Sequence, residues 1–518
     1  MGDNANKRAK LECHLDAQQR HVVDLCGQGQ NVFFTGMGGT GKTFLLQEIV
    51  RMLRRKHGKD KVAVTAPTGV ASIVCQGQTL HSLAGCGVPT YVSDFEKCFK
   101  HNKRWGAMKV LIIDEVSMLQ PSYIDWLDQT IRSIRKRPSE AFGGIQIILC
   151  GDFGQLPGVS SGVSIMRERP SSGSDKEIPV NVMECPGFVF QTAFWRDANF
   201  VVAELTTVFR QSEVAMVEVL GKVRRGVLDA QVREFMAGCA RPLEDQGEIK
   251  PTILYARNMD VDARNAANLS VLEGPSVVFN AADTVEADHP AQEQQLERDP
   301  FFANNPLIPK KLELRVGAQV MLTKNIEFGD SVDRLVNGSR GVVKRFVPLD
   351  ELSTRLKPED RELVKTLGGQ APEVLFSNGR THVCIPEAFE KTVYMTGVCK
   401  RAQVPLKLVW ALTIHKSQGE TLDLVCVDLS GCFAPGQAYV ALSRARTREG
   451  LSVVGFADSV VKADALAIGF HDALTAGTLK DFVAEVPMWW APILQCKKPE
   501  WVELFNKAPA FRRWSGVA

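Results

Sequence analysis

Apolar positions in this chain fall into short, dense runs set between longer mixed stretches. Among the first 150 residues the clearest runs are Val32-Phe33-Phe34, Val62-Ala63-Val64-Thr65, Val110-Leu111-Ile112-Ile113 and Ile145-Gln146-Ile147-Ile148-Leu149-Cys150. Apolarity that is continuous rather than alternating suits a strand buried on both faces. The stretches between carry helix signals. Leu15 to Leu25 opens with Asp16 as a cap, and Phe44 to Leu53 follows a glycine-rich turn. Strands separated by helices predict a parallel, doubly wound α/β sheet, with its ligand at the carboxyl ends of the strands. The texture returns at Thr252-Ile253-Leu254-Tyr255, Leu408-Val409-Trp410-Ala411-Leu412 and Val425-Cys426-Val427, which predicts a second α/β lobe. Within it, from Val316, come short β runs at 318–324, 335–346, 373–376 and 381–385. Asn337-Gly338 and Asn378-Gly379 are turn signals between them, and the pattern predicts a small inserted β-barrel.

These patterns divide the chain into a tail (1–12), a first lobe (13–190, with an accessory loop near 77–105), a second lobe (191–310 and 406–475), a barrel region (311–405) and a C-terminal tail (476–518). Residues 158–187 read as a surface excursion and 281–311, acidic and proline-containing, as loop. The late tryptophans Trp489, Trp490, Trp501 and Trp514 read as a packed tail rather than a stacking platform.

Composition narrows the function classes. A length of 518 residues suggests about three domains. Hydrophobic content of 45% and charged content of 23% are those of an ordinary globular protein. A net charge of +3 excludes a globally basic chain, so a nucleic-acid site has to be a local groove. No apolar run approaches the ~20 residues of a membrane span, and no membrane partner is expected. The start of the chain has no apolar signal core. The 13 cysteines include no C-x-x-C pair and read as buried, reduced thiols. An intracellular location follows. Lys7, Arg8 and Lys10 favour the nucleus, while Asp3 and Glu12 count against a mitochondrial presequence. The basic run from Arg51 to Lys61 reads as a solvated helix face.

The chemistry centres on Gly36-Met37-Gly38-Gly39-Thr40-Gly41-Lys42-Thr43, a full match to the phosphate-loop pattern G-x-x-x-x-G-K-S/T between a strand and a helix. Glycines let backbone N–H groups face an anion, and the helix N-terminus adds a favourable dipole. Lys42 is placed to reach the β- and γ-phosphates of ATP, and the Thr43 hydroxyl to hold Mg²⁺. Asp114 and Glu115 end the third apolar run. Asp114 suits the metal's coordination sphere and Glu115 suits the polarising of an attacking water. Gln155, after the fourth run, is a neutral amide able to sense a γ-phosphate. Gln19, upstream of the loop, offers an amide to the adenine edge. Pro67 and Thr68 at the end of the second run suit either a phosphate backbone or a simple turn. Asn258 and Asn265 suit either backbone contacts or helix caps.

The segments LDAQQ, GMGGTGKT, VTAPTGVAS, GQTLHSLAG, LIIDEVSML, FGGIQIILCGDFGQLP, LTTVFRQ, ALTIHKSQGETL and GQAYVALSRAR, in this order, resemble the petite-integration-frequency (Pif-type) DNA helicases of superfamily one. The match runs from Leu15 to about Phe456. Gly154 and Gly158 depart from the third motif, where relatives often carry a larger residue and a proline. The resemblance implies two RecA-like lobes with ATP between them, a Src-homology-type barrel in the second lobe, and single-stranded DNA lying across both. It implies a γ-phosphate contact for Arg210, an arginine finger for Arg444, and nucleotide contacts for Gly419 and Glu420. It further implies DNA contacts for Pro67, Thr68, His81, Asn258, Thr413, His415 and Lys416. The implied activity is 5′-to-3′ translocation by a monomer, with unwinding of forked duplex, RNA–DNA hybrid or G-quadruplex DNA in genome maintenance. Two other readings compete with it. One is an ATP-gated DNA-binding module without unwinding. The other is a RecD-like helicase subunit of a nuclease complex, which the segment around Ser117 disfavours.

Overall fold

The computed structural model describes residues 15–158 (apart from 88, 90 and 91), 187–243, 250–303, 308–324, 337–352, 358–393 and 396–490, with residues 326, 335 and 356. The chain makes two compact units. One takes its residues up to Thr207 and again from Asp464, and the other is Val208–Ala463.

The first unit is built on strands β1 (Val32–Gly36), β2 (Val62–Ala66), β3 (Gln78–Thr79), β4 (Val110–Ile113), β5 (Gln146–Cys150) and β6 (Val201–Leu205). They form one sheet in the order β3-β2-β4-β5-β1-β6. Every pairing is parallel. The continuous apolar runs have the expected cause, since all residues of β1, β2 and β4 are buried. The helix Lys42–His57 lays Leu45, Leu46, Ile49 and Leu53 on the sheet, against Val32, Phe34, Val62, Val64, Val110, Ile112 and Ile148.

Two boundaries differ from the sequence reading. The first lobe does not end at 190. β6 pairs with β1 over five residues, from Val32 opposite Val201 to Gly36 opposite Leu205. Nor does the chain's last part belong to the second lobe or to a separate tail. Helices Ala465–Thr475 and Leu479–Glu485 pack into the first unit, where Phe470 lies 6.0 Å from Phe33, 5.0 Å from Phe153 and 4.8 Å from Phe190. The Trp489 indole N–H donates to fully buried Asp125 at 2.6 Å, and Trp490 is buried beside it. These two tryptophans are packed, as expected. Trp501, Trp514 and residues 159–186 of the surface excursion lie outside the described residues.

The second unit starts its own sheet with β7 (Thr252–Tyr255) and then leaves it for an antiparallel insertion. The insertion holds β8 (Val277–Asn280), β9 (Ala282–Ala287), β10 (Lys311–Leu314), β11 (Gln319–Leu322), β12 (Arg340–Pro348), β13 (Gln370–Phe376), β14 (Thr381–Val383), β15 (Glu387–Val393), β16 (Gly397–Gln403) and β17 (Leu406–Leu408). They pair as β14-β13-β12-β11-β17, β15-β16-β9 and β10-β8. The chain returns through β18 (Ala411–Thr413), β19 (Val425–Asp428) and β20 (Leu451–Val454), completing a parallel sheet of order β18-β7-β19-β20. The inserted domain therefore begins at Val277 rather than 311, and the stretch read as loop contains β9. Its residues are exposed or half-buried throughout, so it has no apolar run to announce it. What holds it is β16, whose fully buried Arg401 forks onto Asp283 at 2.7 and 2.8 Å.

The ten described cysteines are free thiols, eight of them buried. Among the described residues no helix is long and apolar enough to cross a membrane.

Candidate functional site

β1 ends at Gly36, where the backbone makes a turn that a side chain would block. A Cβ there would sit 2.5 Å from the Leu205 carbonyl oxygen, on the neighbouring strand. The loop closes at Gly41, left-handed at φ +78°, and the helix starts at Lys42. The Lys42 ammonium folds back over the loop and donates to the carbonyl oxygens of Gly36 at 2.7 Å and Met37 at 2.9 Å. Thr40 donates to the same Met37 carbonyl at 3.0 Å. Loop and lysine thus set a cation beside glycine-rich backbone at a helix N-terminus, the arrangement that receives a polyphosphate.

On the adjoining strands, Asp114 continues the ladder of β4 by donating its N–H to Thr65 at 2.8 Å, and its carboxylate accepts from the Glu115 N–H at 2.9 Å. Burial pushes the Asp114 carboxyl above its ordinary range. The Cys150 thiol, the Glu115 N–H and the Lys42 charge pull the other way. A buried carboxylate opposed by desolvation gains from a bound cation, and Thr43 with Asp114 is an oxygen donor pair of the kind Mg²⁺ takes. The ion would supply charge neutralisation at the phosphates. Glu115 is left-handed (φ +50°, ψ +45°), a strained conformation for a residue with a side chain and one concentrated at active sites. Gln155, nearly buried, is held by Asp152. It donates its backbone N–H to the Asp152 carbonyl at 2.9 Å and its side-chain amide to the Asp152 carboxylate at 3.3 Å.

Gln19 is buried, and its amide oxygen accepts the Asp16 N–H at 3.2 Å while its own N–H donates to the Asp16 carboxylate at 2.8 Å. This capping box fixes the side chain of Gln19 and uses one of the two lone pairs of its amide oxygen, leaving the other lone pair and the NH₂ group for the adenine role. Its neighbour Gln18 ties the same helix to Thr206, beyond β6, with both ends of its amide.

The remaining candidates of this unit follow β2 and β3. The Thr68 hydroxyl accepts the Ala71 N–H at 3.2 Å and so caps the short helix Gly69–Val74. His81 lies against the Tyr123 ring with centroids 4.3 Å apart, and burial drives its pKa down to about 4. It is a neutral ring in a packed site and not a cation for phosphate.

In the second unit, Thr413 ends β18 and accepts the Lys416 N–H at 3.2 Å, shaping the turn His415–Ser417. Burial lowers the His415 pKa as well. Asn258 is exposed at the start of the helix Asn258–Ser270. Asn265 is structural, exchanging two 3.0 Å bonds with the Ala411 backbone. Glu420 pairs with Lys407 at 2.7 Å through one oxygen. Its other oxygen is buried without a donor among the described residues, an acceptor of the sort a ribose hydroxyl satisfies.

The two arginines converge on one loop but differ in kind. Arg444 is 1% exposed. Its guanidinium donates to the Val440 carbonyl and the Ser443 hydroxyl, both at 2.8 Å, and reaches the Ser417 and Glu420 carbonyls at 3.4 Å. It bridges the helix Gln437–Leu442 and the 417–420 turn, and the finger role remains what the resemblance implies for it. Arg210 is half-buried and donates to the Ser443 carbonyl at 2.9 Å. Crowding by protein, then by Arg444, pushes its pKa down to about 9. Cations set this close gain from an anion.

Sequence reasoning did not single out Asp152, Cys150's thiol contact or His471. Asp152 was legible only as part of a motif, and His471 had no signal at all.

Fold and loop together give the chain a RecA-like phosphate-loop nucleotide-binding fold. Comparison with known proteins sharpens this. Residues 14–172 match the family model described as PIF1-like helicase, and residues 302–346 match DNA helicase Pif1, 2B domain. ATP-dependent DNA helicase PIF1 of Danio rerio is 37% identical over 91% of this chain and 66% of its own length. Its namesake in Emericella nidulans is 35% identical over 88% and 62%. The crystal structure of Pif1 helicase from Candida albicans superposes with a TM-score of 0.64 at 36% identity, covering 89% of this chain and 99% of that one. That of Pif1 helicase from Bacteroides in complex with ADP-AlF3 and ssDNA gives 0.56 at 27%, covering 89% and 97%. The chain belongs to the Pif1-like helicase family. It spans under two thirds of the length of the Emericella and Danio relatives.

Proposed function

We propose that this chain is an ATP-dependent DNA helicase that moves 5′ to 3′ along a single strand. One observation carries the reading. In the sheet order β3-β2-β4-β5-β1-β6, the nucleotide residues follow the adjacent strands β4, β5 and β1, while Pro67, Thr68 and His81 follow the adjacent strands β2 and β3. One sheet therefore carries both groups of residues at the carboxyl ends of neighbouring strands.

In this reading Lys42 and the loop N–H groups bind the phosphates, Glu115 orients the attacking water, and Arg210 supplies positive charge to the transferring phosphoryl group. The relatives' shared name supports ATP-driven unwinding, and the Bacteroides complex with ADP-AlF3 and ssDNA supports a single-stranded DNA ligand. Direction, action on RNA–DNA hybrids and G-quadruplexes, a monomeric state and a nuclear location rest on the family resemblance and the sequence.

DNA binding has a specific salt signature. Each phosphate contact by a cation contributes ~0.7 to the log–log slope of affinity against salt for single strands. Lys416→Ala should lower that slope by about one contact. His81→Ala should leave it unchanged, because a ring with a pKa near 4 is neutral from pH 5 upward. Native His81 binds fewer protons than the unfolded chain between its ordinary value of 6.5 and about 4, so its contribution to stability is full above 6.5 and is lost as pH falls toward 4. Salt titrations of a labelled oligonucleotide with the two variants check this. Equal loss of slope in both would contradict the assignment of charge to Lys416 and of packing to His81.

A further inference from the structure

The part of the first unit that comes from the far end of the chain touches the loop that holds Gln155. The helix Ala465–Thr475 starts just after the chain leaves the second unit at Ala463, with Asp464 capping it through the Leu466 and Ala467 N–H groups. Midway along it stands the pair Phe470-His471. The Phe470 ring is 0% exposed and packs among Phe33 of β1, Phe153 and Phe190, so the helix is pinned between the phosphate-loop strand and the Gln155 loop. Next to it, His471 Nε2 lies 3.4 Å from the Asp152 carboxylate; both residues are buried, Asp152 fully. The same carboxylate accepts the Gly154 N–H at 3.0 Å and the Gln155 side-chain amide at 3.3 Å. Asp152 is thus a hub. On one side it sets the backbone and amide of Gln155, and on the other it is met by an imidazole from more than three hundred residues downstream.

We propose that His471 is a positioning residue for Gln155, acting through Asp152. A buried carboxylate that must hold one amide in one rotamer needs its remaining lone pairs engaged from a fixed direction, and the pinned helix gives that direction. Without the imidazole, Asp152 turns or takes water, and Gln155 loses its set orientation while the phosphate loop keeps its shape. The inference rests on the reading of Gln155 as the γ-phosphate sensor. It adds that the segment returning from the second unit is the element that sets this sensor.

The test is a double-mutant cycle on the full chain. His471→Met keeps the bulk and removes the donor, and His471→Gln keeps an N–H donor at a similar reach. In His471→Met, DNA-stimulated kcat for ATP should fall by about tenfold or more, the order that misplacement of a positioning group costs. KM for ATP and the affinity for a non-hydrolysable analogue should stay within about twofold, because the phosphate loop, which holds the nucleotide, keeps its shape. His471→Gln should regain most of the lost kcat. In a Gln155→Ala background, His471→Met should cost nothing further, since the group it positions is gone. An equal fractional loss in both backgrounds means His471 only supports the fold, and the inference fails while the helicase reading stands. If Gln155→Ala itself hydrolyses ATP like wild type, the sensor reading fails and takes the inference with it. Should His471→Met melt well below wild type, Asp152→Asn goes through the same cycle. It keeps the shape but sets an NH₂ group against the donors on one side of that carboxylate, which meets three of them, so the same coupling to Gln155 is expected and additivity would overturn the proposal.

Discussion

Lys42→Ala should abolish ATP hydrolysis and unwinding while leaving the melting curve of the protein unaltered. The reason lies in what Lys42 touches. Its ammonium is bonded to the carbonyl oxygens of Gly36 and Met37, two groups of the loop it belongs to. The loop's shape comes instead from Gly36, Gly41, the Thr40 bond to Met37 and the burial of β1, none of which the substitution disturbs. The phosphates, in contrast, lose the one cation that the loop itself supplies. A positioned cation in a site of low dielectric is worth several kcal/mol to the transition state, hence a rate loss of about 10²–10³ or more. Steady-state hydrolysis with saturating single-stranded DNA, beside a thermal melt of the same sample, measures both halves. Hydrolysis at the wild-type rate would remove the loop from the mechanism.

The second large effect separates the two arginines. Arg210→Ala should fold normally, bind nucleotide and DNA, and lose DNA-stimulated hydrolysis by roughly 10³, the lower end of what a transition-state arginine supplies. Folding is spared because the Ser443 carbonyl that Arg210 contacts also accepts from the Gln211 amide at 3.1 Å. Arg444→Ala should behave differently. Removing a 1% exposed guanidinium leaves a void and takes a donor from the Glu420 carbonyl and the Ser443 hydroxyl, while the Val440 and Ser417 carbonyls keep the Ser443 hydroxyl and the Glu420 N–H; each buried acceptor left without a partner costs about 1–3 kcal/mol. A lowered melting temperature should therefore accompany its loss of activity. Lysine at 444 should not rescue, since one ammonium cannot reproduce a planar fork spread over four acceptors. kcat with saturating DNA, nucleotide affinity and melting temperature, measured for the three variants, decide the matter. A normally stable Arg444→Ala with lost kcat, beside an active Arg210→Ala, would place the finger role on Arg444.

Where the chemistry is local, it was legible. The phosphate loop needs its glycines, lysine and threonine at fixed spacing beside a strand and a helix, so Gly36 to Thr43 carried their meaning without a structure. Asp114 and Glu115 were readable because a fully buried strand ends on two carboxylates. Long-range pairing was not legible. The apolar run Phe200 to Ala203 marks β6 but not the lobe whose sheet it joins, at the edge beside β1, and β9 has no apolar run because it is exposed or half-buried throughout. The return of residues 464–490 to the first unit is settled by Phe470 and Trp489 finding partners hundreds of residues earlier, which no local pattern encodes. Side-chain duty was the other gap. A motif arginine reads the same whatever it touches, and the contacts of Arg444 to Val440, Ser443, Ser417 and Glu420 had no local signal. The cap that Gln19 makes with Asp16 likewise was not read from the sequence.

The central claim is that phosphate-loop hydrolysis in this chain drives directional movement on DNA. The most direct measurement is strand separation by the purified chain with ATP, on one duplex carrying only a 5′ tail and on the same duplex carrying only a 3′ tail, with Lys42→Ala as the control. The account predicts ATP-dependent unwinding of the 5′-tailed duplex, none of the 3′-tailed one, and none of either by the variant. Unwinding from the 3′ tail alone would contradict the direction, and DNA-stimulated hydrolysis with no unwinding of either duplex would leave a DNA-gated ATPase in place of a helicase.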